Sequence, residues 1–290
     1  TPILQTASNL GRRTAVLCNS WKDVYVSAHL PVPVDLLGVH NSQALARLSR
    51  LPGSADAQIR VLPSLHLQHL YDPRALPSRQ ELAAALGLEP TRPWVCYSLA
   101  SPSAVVGEAL TVRNLLLWLR SSALGLKPQV VLRENPMAPE ERLWPLQKEF
   151  PEITIFRPDW IWDPASDWCC PSHRDSTIWP AFVRECEMNV SIPSTVTLEF
   201  AAAGKPVLNI CYDTEPSTPQ GRSARRFWDA PFYREIRESG VAMPATSPDQ
   251  LQLLLAHRLS QPNSTSSPPA GQQGTPVQQV CDALRAVLTA

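Results

Sequence analysis

The feature that most constrains this chain is an alternation. From Thr14 onward, short runs rich in Val, Ile and Leu are separated by stretches with helical periodicity. Parallel strands cannot be joined by tight hairpins and need crossover connections, usually helices, so this pattern is how a parallel sheet is written into a sequence. It predicts strands over residues 15–18, 35–39 and 59–62, with a short helix over 42–49. After the polar, proline-bearing stretch 71–77 the series restarts. Helices are expected over 78–86, 107–122, 139–149, 177–186 and 195–203, and strands over 94–98, 129–133, 153–156, 189–192 and 207–210.

The expected fold class is therefore α/β, a Rossmann-like parallel sheet with helices on both faces, preceded by a partial N-terminal α/β domain. A boundary near residue 73 divides residues 1–72 from 73–260. An amphipathic helix closes the second part over 248–259. The Ser/Pro/Gly/Gln-rich stretch 261–276 reads as a linker before a terminal helix within 277–290.

Composition excludes several functions. With 26 Lys+Arg against 26 Asp+Glu, the chain lacks the basic footprint of a nucleic-acid binder, so no nucleic-acid partner is expected. Thirty prolines against 11 glycines would suggest disorder if they clustered, but Pro31, Pro63, Pro93, Pro128, Pro151, Pro158, Pro193 and Pro206 each punctuate an apolar run. A folded, loop-rich protein is expected. Seven cysteines without a C-x-x-C pair, several inside apolar runs, suit a reducing compartment. No apolar stretch reaches membrane-spanning length, and Thr1-Pro2-Ile3 shows neither an initiator Met nor signal-peptide regions, so the chain is expected to begin inside a longer protein.

The richest chemistry lies in the stretch from Ser191 through Ser194, Thr195 and Glu199 to Gly204-Lys205-Pro206-Val207. A strand ends at Ser191, Ser194 or Thr195 caps the following helix, Gly204 ends it, and Pro206 opens the next strand. Free N–H groups and the helix dipole at such a start favour a phosphate, and Glu199, one turn inward, is placed to accept from two ribose hydroxyls. A plain capped helix with one partly exposed acid fits the same spacing. Arg133, ending the strand 129–133, is placed to meet a phosphate outside the carboxyl end of a sheet; a surface salt bridge would explain it as well. The loop Ser98-Leu99-Ala100-Ser101-Pro102-Ser103 with Glu108 is a third candidate, against an ordinary loop and helix start.

Other signals are weaker. Gly204-Lys205 sits at a helix end and is no phosphate-binding P-loop. His66-x-x-His69 and the vicinal Cys169-Cys170 pair lack the further ligands a metal needs. Trp160, Trp162, Trp168 and Trp179, with Asp159, Asp163, Asp167 and Asp175, suit a wall for a nucleobase or sugar, or core packing under a long loop.

Together these features resemble the C-terminal, donor-binding half of a GT-B glycosyltransferase, nearest to the bacterial surface-carbohydrate branch related to CDP-glycerol glycerophosphotransferases. Asn19-Ser20-Trp21-Lys22-Asp23 and His29-Leu30-Pro31-Val32 are similar to that family's S-W-D-N…L-P-V segment, and the stretches 35–39 and 59–63 follow in order. Arg133-Glu134-Asn135-Pro136 is similar to its R-P-H-P motif, and Ser194-Thr195…Glu199…Gly204-Lys205-Pro206-Val207 to its S-T-x-x-x-E…G-x-P-V motif.

The resemblance implies transfer of a sugar, or a polyol phosphate, from a nucleotide-activated donor to a hydroxyl acceptor such as a glycan or lipid-linked glycan. It implies that Ser194, Thr195 and Arg133 bind the donor phosphates and Glu199 the ribose, with Ser98, Ser101, Asn135 and Asp175 in the donor pocket. It implies no cofactor and no metal, and a cytoplasmic setting with peripheral contact at the inner face of the membrane. The family's histidine is Asn135 here, which cannot transfer a proton. The general base is expected in the part of the N-terminal domain preceding Thr1, so no catalytic residue is nominated. Two other readings stay open: a noncatalytic GT-B-like module binding a nucleotide or partner, and a sugar-nucleotide 2-epimerase.

Overall fold

The computed structural model describes residues 2–18, 20–26, 32–49, 58–71, 76–122, 124, 127–138, 140–165, 168–215, 218–261 and 275–288. Asn19, His29, Leu30 and Pro31 of the first motif, and nearly all of the expected linker, lie outside them. The chain forms two compact units, residues 1–72 with 270–290, and residues 73–269.

The first unit contains α1 (Pro2–Asn9), β1 (Ala15–Leu17), α2 (Asp23–Val26), β2 (Leu36–Val39), α3 (Ser42–Leu48) and β3 (Gln58–Val61). Its three strands are parallel in the order β1-β2-β3. β2 is buried throughout, as a central parallel strand should be. Leu37 and Val39 pack with Ala44 and Leu48 of α3. Leu36, on the other face, packs with Leu62 and with Val280, Ala283 and Val287 of the terminal helix. Asn41 caps α3 by accepting from the Ala44 N–H at 2.7 Å.

The second unit contains α4 (Arg79–Leu86), β4 (Trp94–Ser98), α5 (Glu108–Ser121), β5 (Gln129–Arg133), α6 (Trp144–Glu149), β6 (Thr154–Phe156), β7 (Trp160–Asp163), β8 (Trp168–Pro171) and α7 (His173–Glu185). It continues with β9 (Met188–Ser191), α8 (Val196–Ala202), β10 (Val207–Ile210), α9 (Arg225–Asp229), α10 (Arg234–Ser239), β11 (Met243–Ala245) and α11 (Pro248–Ser260); α12 (Pro276–Leu288) then returns to the first unit. Six parallel strands form one sheet in the order β11-β10-β9-β4-β5-β6. Counted from β4, this is the doubly wound order 3-2-1-4-5-6.

The alternation of side chains separates two cores. Val95, Tyr97, Val130, Leu132, Val190 and Leu208 meet Val112, Leu115 and Leu119 of α5 and Leu251 and Leu255 of α11. On the opposite face Trp94, Phe156, Trp179, Phe182 and Phe200 interlock as stacked and edge-to-face rings.

Several expectations are corrected. The helix expected from residue 177 starts at His173, because Ser172 caps it by accepting from the Asp175 N–H at 3.1 Å. The helix expected over 139–149 divides into a 3-10 turn, Glu140–Leu143, and α6, with Pro145 in its first turn. The aromatic stretch 160–171, read as a loop, is the antiparallel hairpin β7–β8. No helix among the described residues is long and apolar enough to cross a membrane.

Candidate functional site

In a doubly wound sheet the crossovers from the first and fourth strands leave in opposite directions, and the crevice between those strand ends is where ligands bind. Here that point lies between β4 and β9. Ser98, the last residue of β4, is in register with Ser191 of β9 on one side and Arg133 of β5 on the other. Arg133 and Ser191 are thus two strands apart, about 10 Å by strand spacing, and three of the segments singled out from sequence end at one row.

Arg133 is buried. Its Nη2 donates to Asp175 Oδ2 at 2.9 Å, with the two side chains 9% and 4% exposed. Its guanidinium lies 4.4 Å from the Phe156 ring centre and 4.6 Å from that of Trp179, so both ring faces meet the cation. Nη1 is buried without a hydrogen-bond partner. The surface salt bridge considered from sequence is therefore corrected to an enclosed ion pair. Asp175 also accepts from Trp160 Nε1 at 3.1 Å and from the Asp159 N–H at 3.3 Å. Its acceptor positions serve Arg133 and the start of the hairpin.

Trp179 joins this pair to Glu199. While its ring carries Arg133, its indole Nε1 donates a short hydrogen bond to Glu199 Oε2. Glu199, 4% exposed, lies in the first turn of α8, so the partly exposed acid of the alternative reading is corrected to a buried one. Two residues proposed separately from sequence are thus brought to the face and the N–H edge of one indole, a link nonlocal in sequence.

Ser194 is half-buried and Thr195 exposed in the loop between β9 and α8. The expected side-chain cap is absent: Thr195 occupies the cap position in helical backbone geometry and its hydroxyl makes no cap bond. Backbone bonds close this turn instead, from the Thr197 N–H to Ser194 O at 3.2 Å and from the Leu198 N–H to Thr195 O at 2.9 Å. Thr195 is exposed at the switch point and its hydroxyl makes no cap bond, which is compatible with a contact to an external group.

The remaining candidates are held by the protein. Ser98 donates to Asn189 Oδ1 at 2.7 Å, below the strand ends. Ser101 shares a 2.9 Å hydrogen bond with Ser103 in the loop after β4. Asn135 accepts from the Met137 N–H at 2.9 Å, which fixes the turn after β5. Glu108 accepts from the Ala100 N–H at 3.0 and 3.1 Å and from Arg142 Nη2 at 2.5 Å, while Arg142 Nη1 donates to Ala100 O at 2.8 Å. This clamp holds the loop after β4 onto the start of α5. Burial pushes the Glu108 carboxyl up to about 7, against the lowering effect of Arg142 and the Ala100 N–H. Gly107, with φ of 72°, makes the turn into α5, where a Cβ would meet the Glu215 side chain at 2.9 Å.

Sequence reasoning missed a buried polar network under the same crest. Asn189 Nδ2 donates to Ser191 Oγ at 3.0 Å, Asn209 Nδ2 to Thr197 Oγ1 at 3.2 Å, and Tyr233 OH lies 2.6 Å from Asn209 Oδ1 and 2.9 Å from Thr197 Oγ1. The available signal was an asparagine inside each of two apolar strands, Asn189 and Asn209, since buried amides require partners. The network ties β9, α8 and β10 together, fixing the segment that presents Ser194 and Thr195.

No family model and no curated protein matches the chain. Solved structures do. A putative UDP-N-acetylglucosamine 2-epimerase from Listeria monocytogenes is similar over 98% of this chain and 70% of its own, at 13% identity and a TM-score of 0.63. The chain shares with these structures an α/β fold of the Rossmann-like GT-B type. The UDP-GlcNAc 2-epimerase of Methanocaldococcus jannaschii, solved with UDP-GlcNAc and UDP, is similar over 97% of this chain and 71% of its own, at 13% identity and a TM-score of 0.57. The wall teichoic acid polymerase TagF is 12% identical over 88% of this chain and 53% of its own, but its TM-score of 0.46 is too low for that likeness to carry weight. Identities this low show a shared fold and no more.

Proposed function

We propose that this protein is a nucleotide-sugar enzyme of the GT-B fold that transfers a sugar, or a polyol phosphate, from a nucleotide-activated donor to a hydroxyl acceptor in polysaccharide or glycoconjugate synthesis. The observation that carries this reading is the switch point itself. The Ser194-Thr195 loop follows β9 at the switch point between β4 and β9, with Thr195 exposed and Ser194 half-buried, and the buried Arg133 and Glu199 lie on the neighbouring strand end and helix turn.

In this reading Ser194 and Thr195 donate to the diphosphate, and Arg133, fixed between its rings by Asp175, supplies positive potential from below. Charge develops on the leaving nucleoside diphosphate when a sugar is transferred, or on the leaving nucleoside monophosphate when a polyol phosphate is, so donors already oriented there stabilise the transition state without a metal. Glu199, in the first turn of α8, is assigned to the ribose. All seven cysteines are free thiols, which supports a reducing, cytoplasmic setting.

A second reading, a sugar-nucleotide 2-epimerase, is favoured by the likeness to those enzymes over nearly the whole chain. One experiment separates the two: the protein is incubated with UDP-GlcNAc, and separately with CDP-glycerol, with and without a hydroxyl acceptor, and products are followed by NMR. Transfer releases nucleotide only when acceptor is present. Epimerisation converts the sugar at C2 without acceptor. Binding without turnover identifies a noncatalytic module, and no binding of any activated donor refutes the proposal.

A further inference from the structure

The exposed face of the β7–β8 hairpin has no role in the site described above. Its register pairs Trp160 with Pro171, Ile161 with Cys170, Trp162 with Cys169 and Asp163 with Trp168. Successive residues of a strand point to opposite faces, so Trp160, Trp162, Cys169 and Pro171 share one face, and Ile161, Asp163 and Cys170 lie on the other. On the first face Trp160 is anchored to Asp175 at 3.1 Å. Trp162 is 46% exposed. Cys169 reaches Met137 with its sulfur 3.8 Å from the thioether, and Met137 is 57% exposed, with its N–H held by Asn135. One wall of an indole and two sulfurs therefore continues outward from the Arg133–Asn135 strand end, fastened to the site at both ends.

We propose that Trp162, Cys169 and Met137 form a stacking platform for a pyranose ring of a neutral glycan, the acceptor of the transfer reaction; the word acceptor rests on that reading, the platform on the hairpin alone. Three features select this occupant. Three partly exposed side chains supply a small fraction of the roughly 800 Å² per partner that a standard protein interface buries, but match the span of one or two sugar rings. Asp163 stands on the opposite face, so among the described residues of the hairpin this face carries no charged side chain, which suits a neutral ligand. An indole offers a flat apolar surface to the C–H groups of a sugar, and a polarizable thioether adapts beside it. The Asn135 amide, adjoining Met137, provides N–H donors for ring hydroxyls.

The test is a titration of the full chain with two neutral tetrasaccharides, N-acetylchitotetraose and maltotetraose, read by tryptophan fluorescence and saturation-transfer NMR, with UDP titrated in parallel. At least one tetrasaccharide is expected to saturate. Trp162→Ala should weaken it about tenfold and Trp162→Phe, which keeps a ring, much less. Met137→Ala, at an exposed side chain, should act in the same direction as Trp162→Ala, guarding against a hairpin that fails to form. UDP binding should be unchanged in all three. Absence of binding by either tetrasaccharide, or an unchanged affinity in Trp162→Ala, overturns the platform. So does equal weakening of UDP, which assigns the face to the nucleotide. Glycan binding without any nucleotide binding would keep the platform and remove the transfer reading.

Discussion

Replacing Asp175 by Ala should be the most damaging single change at the crest. It leaves the Arg133 cation, whose side chain is 9% exposed, with two ring faces and no anion, and deprives Trp160 Nε1 and the Asp159 N–H of their acceptor. Breaking a buried pair by removing one partner costs about 3–5 kcal/mol, because the remaining charge is uncompensated. At about 2–4 °C per kcal/mol for a unit of this size, the melting temperature should fall by roughly 6–20 °C. Arg133→Met should cost less, since Asp175 keeps two N–H donors and Met fills the space between Phe156 and Trp179. The double variant Arg133→Met/Asp175→Leu should be less destabilised than Asp175→Ala alone, as paired apolar replacement usually is. Urea unfolding followed by tryptophan fluorescence measures all three, with a shift in midpoint at constant slope reporting stability. A loss below about 1 kcal/mol in Asp175→Ala, or a larger loss in Arg133→Met, would show that the pair is not the enclosed unit described.

Other substitutions probe the frame and the loop. Arg79 donates to Pro90 O at 2.6 Å, Glu185 O at 2.7 Å and Arg92 O at 2.7 Å and covers the Trp94 ring at 3.9 Å; Arg79→Ala should cost about 2–4 kcal/mol in the same unfolding assay, and Lys should restore little because it cannot span three carbonyls. Tyr233→Phe removes the hydroxyl joining Thr197 and Asn209 and should cost about 1–3 kcal/mol. Thr195→Ala should change stability by less than about 0.5 kcal/mol, since the side chain is exposed and caps nothing, while weakening nucleotide binding by calorimetry. Glu108 has a folded-state pKa of about 7, above its ordinary 4.5, so its contribution is present below the ordinary value and is lost as pH rises through 7. Wild type should therefore lose stability between pH 5 and 8 relative to Glu108→Gln, and parallel pH profiles of the two would contradict the assignment.

The sheet was legible because its strands are apolar runs bounded by proline or glycine, as at Val207–Ile210 after Pro206. β11 was not, because Met243–Ala245 is three residues with a central proline, and it persists as an edge strand beside β10. The hairpin escaped because indoles and aspartates obscure period-two alternation, and its apolar residues face the surface. The candidate site was legible as positions and illegible as partners. Arg133, Glu199 and Ser194 could be placed at strand and helix ends from local pattern. That Asp175 would enclose Arg133, and Trp179 join it to Glu199, depends on contacts 42 and 20 residues apart in sequence. Local pattern carries no information on such pairings.

The central claim is that the switch point binds a nucleotide-activated donor through Ser194 and Thr195. Calorimetric titration of UDP-GlcNAc and CDP-glycerol into the wild type and into Ser194→Ala/Thr195→Ala tests it most directly. The account predicts saturable binding of at least one donor by the wild type, and an affinity lower by about tenfold or more, with unchanged stability, in the double variant. Binding of neither donor by the wild type, or equal affinity in the two proteins, would contradict it.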